Sequence, residues 1–186
     1  MPAEPEGFTE ERLRAVTIGE PQVLDGPIVL VDYDPLWPRQ FADEAAEVRR
    51  ALGDRVLTIE HVGSTSVPGL AAKPILDMVL VVDNSADEAA YVPALEAAAF
   101  ALRIREPDWF EHRLFKGPRR NLNLHVFSKG CTEVLRMIEF RDRLRRSDAD
   151  RKSYEAHKRD LARRDWRYVQ NYADAKAAFI KNMLDR

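Results

Sequence analysis

Ile59 to Val82 reads IEHVGSTSVPGLAAKPILDMVLVV, a short apolar strand, a loop of small residues, and a second, longer apolar strand that carries one acid. Val56, Leu57, Ile59 and Val62 suit a buried strand. Gly63-Ser64-Thr65-Ser66 breaks it with residues that expose backbone N–H groups and short hydroxyls. Such a loop is either a plain turn or a cradle for an anion. The run from Pro74 to Val82 then sets Asp77 among eight apolar neighbours. An ionised carboxylate taken out of water loses several kcal/mol of hydration. A metal ion, a cation or hydrogen-bond donors are therefore expected opposite Asp77, with backbone donors at a strand end as the plainer alternative. The hydroxyl loop, Lys73 and Asp77 fall within fifteen residues, and that clustering favours a site over a turn.

Outward from this stretch the chain alternates strands and helices. Residues 1–26 hold prolines, glutamates and few large apolar side chains, which predicts a flexible arm and an extended lead-in ahead of a single domain over residues 27–186. Ile28-Val29-Leu30-Val31 reads as a strand ended by the turn Asp32-Tyr33-Asp34-Pro35. Trp37, Phe41, Ala45, Val48 and Leu52 recur at helical spacing, with Pro38 in the first turn and Gly53 placed to stop the helix. Beyond the central strands, Ser85 and Glu88 have capping-box spacing. Pro93 predicts two short helical pieces between Asp87 and Ala99, and Phe100 to Arg105 predicts a half-buried strand.

Residues 106–120 predict a hairpin with a crowded polar loop pinned by Trp109 and Phe110. Arg113 and Lys116 stand out there as phosphate contacts, because a guanidinium grips phosphate oxygens through paired hydrogen bonds. Asn121-Leu122-Asn123-Leu124-His125-Val126-Phe127 alternates, so Asn121, Asn123, His125 and Phe127 share one strand face. The remainder reads as helix: a stripe of Val134, Met137, Ile138 and Leu144, a charged segment over about 148–163 anchored by Tyr154 and Leu161, and a final helix with Val169, Tyr172, Ala173, Lys176, Ile180, Met183 and Leu184 on one side. His157 lies in the charged segment, where exposure is the default. The basic residues Arg141, Arg143, Arg145, Arg146, Arg151 and Lys152 alternate with acids, the pattern of a solvated face laced with ion pairs.

The run from His61 to Asp77, HVGSTSVPGLAAKPILD, resembles the signature of the GrpB family, which is placed in the nucleotidyltransferase superfamily. The resemblance extends from about Ile28 to the C-terminus, through Asp34-Pro35 and Trp37, Asn123-Leu124-His125-Val126-Phe127, and Phe140-Arg141-Asp142 with Leu144-Arg145. It implies an α/β (α+β) fold, a nucleotidyltransferase-like mixed β-sheet flanked by helices with a C-terminal helical segment. It also implies a Gly-Ser loop for nucleotide phosphates, here Gly63, Ser64, Thr65 and Ser66, and acids on two strands holding magnesium or another divalent metal. Position 79 is Val where the second acid of the pair belongs, and two-metal phosphoryl transfer needs several carboxylates. His125 stands on a strand comparable to that of the third acid. The metal set expected from this chain is accordingly Asp77, His125 and His61, with Asp77 and Lys73 as the catalytic pair.

The chain has 186 residues, enough for a sizeable core, and 29 basic against 31 acidic side chains, which argues against a globally basic nucleic-acid surface. Its single cysteine, Cys131, forms no intrachain disulfide. No stretch approaches the roughly 20 apolar residues of a membrane span, and the expected setting is cytoplasmic. Two functions follow. The first is a domain that binds a nucleotide or another phosphorylated small molecule and transfers a nucleotidyl group with a divalent metal. The second is a non-catalytic binding or accessory domain with a protein partner, linked to coenzyme A biosynthesis, since related domains occur fused to a dephospho-coenzyme A kinase.

Overall fold

A computed structural model describes residues 9–24 and 26–186. Five strands, β1 Thr58–Val62, β2 Leu76–Val82, β3 Ala101–Glu106, β4 His112–Lys116 and β5 Leu122–Ser128, form one mixed sheet in the order β1-β2-β5-β4-β3. β2 and β5 are parallel and the other neighbours antiparallel. The apolar run of β2 follows from its central place, with both faces covered.

Alternation divides the sheet into two unlike faces. On one, Leu76, Met78, Leu80 and Val82 join Leu122, Leu124, Val126 and Phe115 under α2 (Trp37–Leu52) and α3 (Val92–Ala97). α2 lays Trp37, Ala45, Val48 and Leu52 onto this face, the stripe that its spacing predicts. On the other face Val62, Val79, Val81 and Phe127 meet Val134, Met137 and Ile138 of α4 (Thr132–Arg146). α5 (Asp148–Ala162) and α7 (Ala177–Leu184) extend this side, packing Tyr154 and Met183 against Val67, Leu70 and Leu144. Between them α6 (Val169–Asp174) brings Tyr172 against Ile28 and Leu161.

Several expectations are corrected. Ile28 to Val31 alternates as a strand does, yet it makes only the isolated bridge Val31↔Ala72. Ile28 and Leu30 pack on the C-terminal helices, and Val29 is left 61% exposed. The lead-in is helical over α1 (Glu10–Val16), capped by Thr9, with Leu13 buried and Thr17 bridging to Ile104 at the β3 edge. The part of the expected flexible arm over residues 1–8 lies outside the described residues. Ser85 caps no helix; its hydroxyl meets Ser128 Oγ at 2.9 Å and its carbonyl accepts from Tyr91 at 2.7 Å. The two short helical pieces expected between Asp87 and Ala99, by contrast, are present as a 3-10 turn at Glu88–Ala90 and α3, with Pro93 in the first turn of α3, where its missing N–H costs nothing. The hairpin over 106–120 is two hairpins that share β4. The single final helix is broken into α6 and α7 at Ala175-Lys176. His157 is half-buried and stacks on Phe179 with ring centres 4.3 Å apart.

Candidate functional site

The polar part of the second face forms the floor of a cleft of about 630 Å³, roofed by the C-terminal helices and lined by Gly63, Ser64, Lys73, Asp77, Lys116, Asn123, His125, Lys158 and Tyr172 among others. Register explains the floor. Asp77 pairs with Asn123 and Lys116 also pairs with Asn123, so three strands turn polar side chains to the same side at the same level. Lys116 Nζ donates to Asn123 Oδ1 at 2.6 Å, and Asn123 Nδ2 donates to Asp77 Oδ1 at 2.7 Å. The amide orientation is consistent with its partners, since an ammonium only donates and a carboxylate only accepts. Burial pushes the Asp77 carboxyl up, but His125, Asn123 and the charge of Lys176 outweigh it and hold the group below its usual value.

Gly63 is the residue that lets the loop close over this acid. Its φ is +68°, and a Cβ there would lie 2.6 Å from Asp77 Oδ2. Both the backbone conformation and the close approach require glycine. The next residues form a 3-10 turn in which Ser66 Oγ donates to the Gly63 carbonyl at 2.6 Å. Arg145 of α4 then donates to the Ser66 carbonyl through Nε at 3.0 Å and Nη2 at 2.8 Å. Arg141 donates to the His61 carbonyl at 3.0 Å and pairs with Glu60 and Asp142. Two of the basic residues expected on a solvated face therefore brace the loop, and Arg141 is buried.

Ser64 is the loop residue that faces the cleft. Its hydroxyl accepts from Lys158 Nζ at 3.0 Å, and the same ammonium donates to the Ala71 carbonyl. Lys158 is 2% exposed, and burial, with Lys176 nearby, takes its pKa down to about 7. Burial likewise takes Lys176 to about 8 against the pull of Asp77, and it lowers Lys73 and Lys116, whose charges Asp77 supports. Lys73 and Lys176 lie 5.6 and 4.4 Å from the ring centre of Tyr172. The buried hydroxyl of Tyr172 has no hydrogen-bond partner among the described residues.

The residues expected from sequence thus separate. Gly63, Ser64, Lys73, Asp77 and His125 come together, with Lys116. Thr65 and Ser66 are buried and spend their hydroxyls on the loop itself. Arg113 pairs across the sheet with Val126 and so faces the opposite side, where it donates to Glu88 Oε1 at 2.7 Å; it is no phosphate contact of this cleft. His61 is also on that side, because Val62 rather than His61 is opposite Asp77. Its ring stacks on Phe41 at 4.9 Å. Thr65 Oγ1 donates to the Ile75 carbonyl, so it accepts from His61 Nε2 at 3.0 Å. Burial takes the pKa of His61 down to about 4, which keeps it neutral.

The expected metal set of Asp77, His125 and His61 is therefore not assembled. No group of three or more His, Cys, Asp or Glu side chains suited to a metal occurs among the described residues. One carboxylate ringed by lysines does not fit a resident divalent ion. Val79, where a second acid belongs, is fully buried against Val81 and Phe127.

Sequence reasoning missed Lys158 and the role of Lys176. The signal was spacing: Lys158 lies four residues after Tyr154 and three before Leu161, on the buried stripe. Lys176 lies four residues after Tyr172.

A family profile described as GrpB protein matches residues 27–186. A UPF0157 protein of Halalkalibacterium halodurans is 55% identical over 178 residues, 96% of this chain and 91% of that one. The crystal structure of conserved protein GrpB from Enterococcus faecalis aligns with a TM-score of 0.74 at 32% identity, over 84% of this chain and 95% of that one. A dephospho-CoA kinase of Mycobacterium bovis is 27% identical over 198 residues, 92% of this chain and 49% of the kinase. No helix among the described residues is long and apolar enough to cross a membrane.

Proposed function

This chain belongs to the GrpB family, and from the cleft we propose that it binds a nucleotide or another phosphorylated small molecule, with lysine side chains holding the phosphate. The observation that carries this reading is the excess of cations. Asp77 supports the charges of Lys73, Lys116 and Lys176, Glu155 that of Lys158 and Asp174 that of Lys176, yet the desolvated setting lowers all four lysine pKa values. Buried like charges oppose folding unless something of the opposite sign joins them. A phosphate group supplies that charge and the acceptors for several ammonium groups. The orphaned Tyr172 hydroxyl is a further donor for the ligand.

Nucleotidyl transfer is the finer reading, supported by the Gly-Ser loop followed by an acid on the next strand. The donor set argues against a two-metal form of it, and no step is assigned to a metal. A second reading, an accessory domain connected with coenzyme A chemistry, is favoured by the similarity to a mycobacterial dephospho-CoA kinase, of which this chain spans about half.

The test is a thermal-shift titration with pyrophosphate, nucleoside triphosphates and dephospho-coenzyme A, each with and without magnesium. A ligand at a hundredfold excess over its dissociation constant stabilises the fold by about 2.7 kcal/mol. We expect stabilisation by pyrophosphate without magnesium, and less of it in Lys158→Met. The absence of any shift with all of these compounds sinks the phosphate reading. A shift confined to dephospho-coenzyme A supports the accessory role.

A further inference from the structure

The cleft is larger than its lysines need. At about 630 Å³ it has the size of a site for a whole small molecule, and a phosphate group alone leaves most of it unfilled. Its floor also changes character across the sheet. Asp77, Asn123 and Lys116 are polar, but beyond them lie Leu114 on β4 and Ala101 and Ile104 on β3. A bulge in the edge strand makes this possible. Leu102 pairs with Phe115 and Ile104 with Leu114, so Arg103 is the extra residue between them. Ala101, opposite Lys116, and Ile104, three residues on, therefore share the cleft face, while Leu102 and Phe115 go to the core of the other face.

The segment over residues 9–24 walls this apolar end. Leu13 of α1 is 4% exposed and lines the cleft with Thr17 and Gln22. The segment is anchored to the sheet edge, where the Ile18 N–H donates to the Arg103 carbonyl at 2.8 Å and Arg103 Nη2 donates to the Glu20 carbonyl at 3.2 Å. It is anchored again under the roof. Val23 bridges to Tyr168, the Leu24 N–H donates to the Arg167 carbonyl at 3.0 Å, and Arg167 pairs with Glu10 at 2.7 Å. Tyr168 immediately precedes α6, which carries Tyr172. Protection of an edge strand accounts for the first anchor. It does not account for the second, which holds the segment across the cleft from floor to roof. The GrpB profile begins at residue 27, so this wall stands outside the part of the chain that the profile describes.

We propose that Leu13, Ala101, Ile104 and Leu114 form a subsite for an uncharged apolar group of the bound ligand, with α1 as its outer wall. Continuity with the lysine floor names the occupant. Neighbouring strands lie about 4.8 Å apart, so a group on Ile104 is one to two strand spacings, roughly 5–10 Å, from a phosphate at Lys116. The ligand class is a phosphate ester or anhydride whose apolar or aromatic part lies within that reach. This rests on the phosphate reading above. Leu13 and Ile104 are its specificity-determining residues.

The test compares benzyl phosphate with methyl phosphate, two monoesters of equal charge, by calorimetric titration of the full chain, with pyrophosphate as the reference. Wild type should bind the benzyl ester at least tenfold more tightly, since only its ring has apolar surface to bury. Equal affinity for the two esters, with pyrophosphate bound, overturns the subsite and leaves the phosphate reading standing. Failure of pyrophosphate and of both esters overturns both. None of these outcomes needs a variant to fold.

Placement is read separately. In protein with labelled methyl groups, the ring protons of benzyl phosphate should show nuclear Overhauser contacts to Leu13, Ile104 and Leu114. Contacts to other methyl groups in place of these overturn the assignment even where the preference holds. Ile104→Gln and Leu13→Ala should each bring the two esters closer to equal affinity, a ratio that a loss of stability alone does not move. A folded pair of variants that both keep the wild-type ratio overturns the proposal.

Discussion

The two faces of the sheet are built from the same strands, one residue out of phase, and they obey different physics. Under α2 and α3, Met78, Leu80, Leu124 and Phe115 are buried side by side, and nothing polar is needed to hold them. On the other side the same strands offer Asp77, Asn123, His125 and Lys116, and the charge of Asp77 is held by His125, Asn123 and Lys176 from the loop before α7. The closed face makes the fold stable. The open face carries groups whose hydration is given up without full compensation, which is the usual mark of a ligand site.

The largest expected effect breaks the comparison from the apolar side. Phe115 is fully buried on the closed face, so Phe115→Ala should destabilise the protein by about 3–5 kcal/mol in chemical denaturation. The folded fraction should still bind pyrophosphate with unchanged affinity. Coupled loss of stability and affinity would mean that the faces are not separable.

Next comes acid. Each face hides one neutral histidine, His61 on the closed side and His112 on the open side, both with pKa values held at about 4 by burial. The unfolded chain protonates these rings near 6.5, so between there and about 4 it binds more protons than the native state, and stability falls as pH falls. The expected loss between pH 7 and pH 5 is on the order of 2 kcal/mol for each ring. His61→Gln should remove one share of the slope, as read from denaturation midpoints across pH. An unchanged slope would show that His61 is charged or exposed in the native state.

Gly63→Ala acts where loop and acid touch. The substituted residue would keep a φ near +68° and place its Cβ 2.6 Å from Asp77 Oδ2, so a loss of about 2 kcal/mol is expected, together with pyrophosphate binding. Retention of both stability and binding in this variant would mean that the loop has other ways to close.

What was legible in the sequence follows the same division. β2, β5 and α2 are readable because apolar periodicity is a direct record of burial, and Asp77 and Gly63 stand out as exceptions to it. Phase between strands is not written in any one of them. His61 is one residue away from facing Asp77, and the Val62↔Asp77 register sends its ring to the other side. Arg113 went astray for the same reason. The turn that sets the phase of β4 uses left-handed Phe110 and Glu111, where no glycine or asparagine announces it. The contact between Glu106 and His112 depends on that turn and was therefore hidden. Lys158 was missed because a lysine on a charged helix is usually solvated, whereas this one is the polar member of a buried stripe.

The smallest expected effect is the most discriminating, because it isolates one charge of the open face. With a pKa of about 7, Lys158 is an ammonium at pH 6 and largely a neutral amine at pH 9. Only the ammonium attracts phosphate by charge, so wild-type affinity for pyrophosphate should fall as pH rises through this range. Lys158→Met lacks the charge at every pH, and its affinity should start roughly tenfold lower at pH 6, the share of one charge-assisted hydrogen bond. The two curves should converge toward pH 9. Phosphate binding also favours the protonated amine, so wild-type protein should take up protons on binding near pH 7.5, measurable by calorimetry in buffers of different ionisation heat. A gap between the two proteins that does not change with pH would show that Lys158 holds the loop through Ser64 and the Ala71 carbonyl without meeting the ligand.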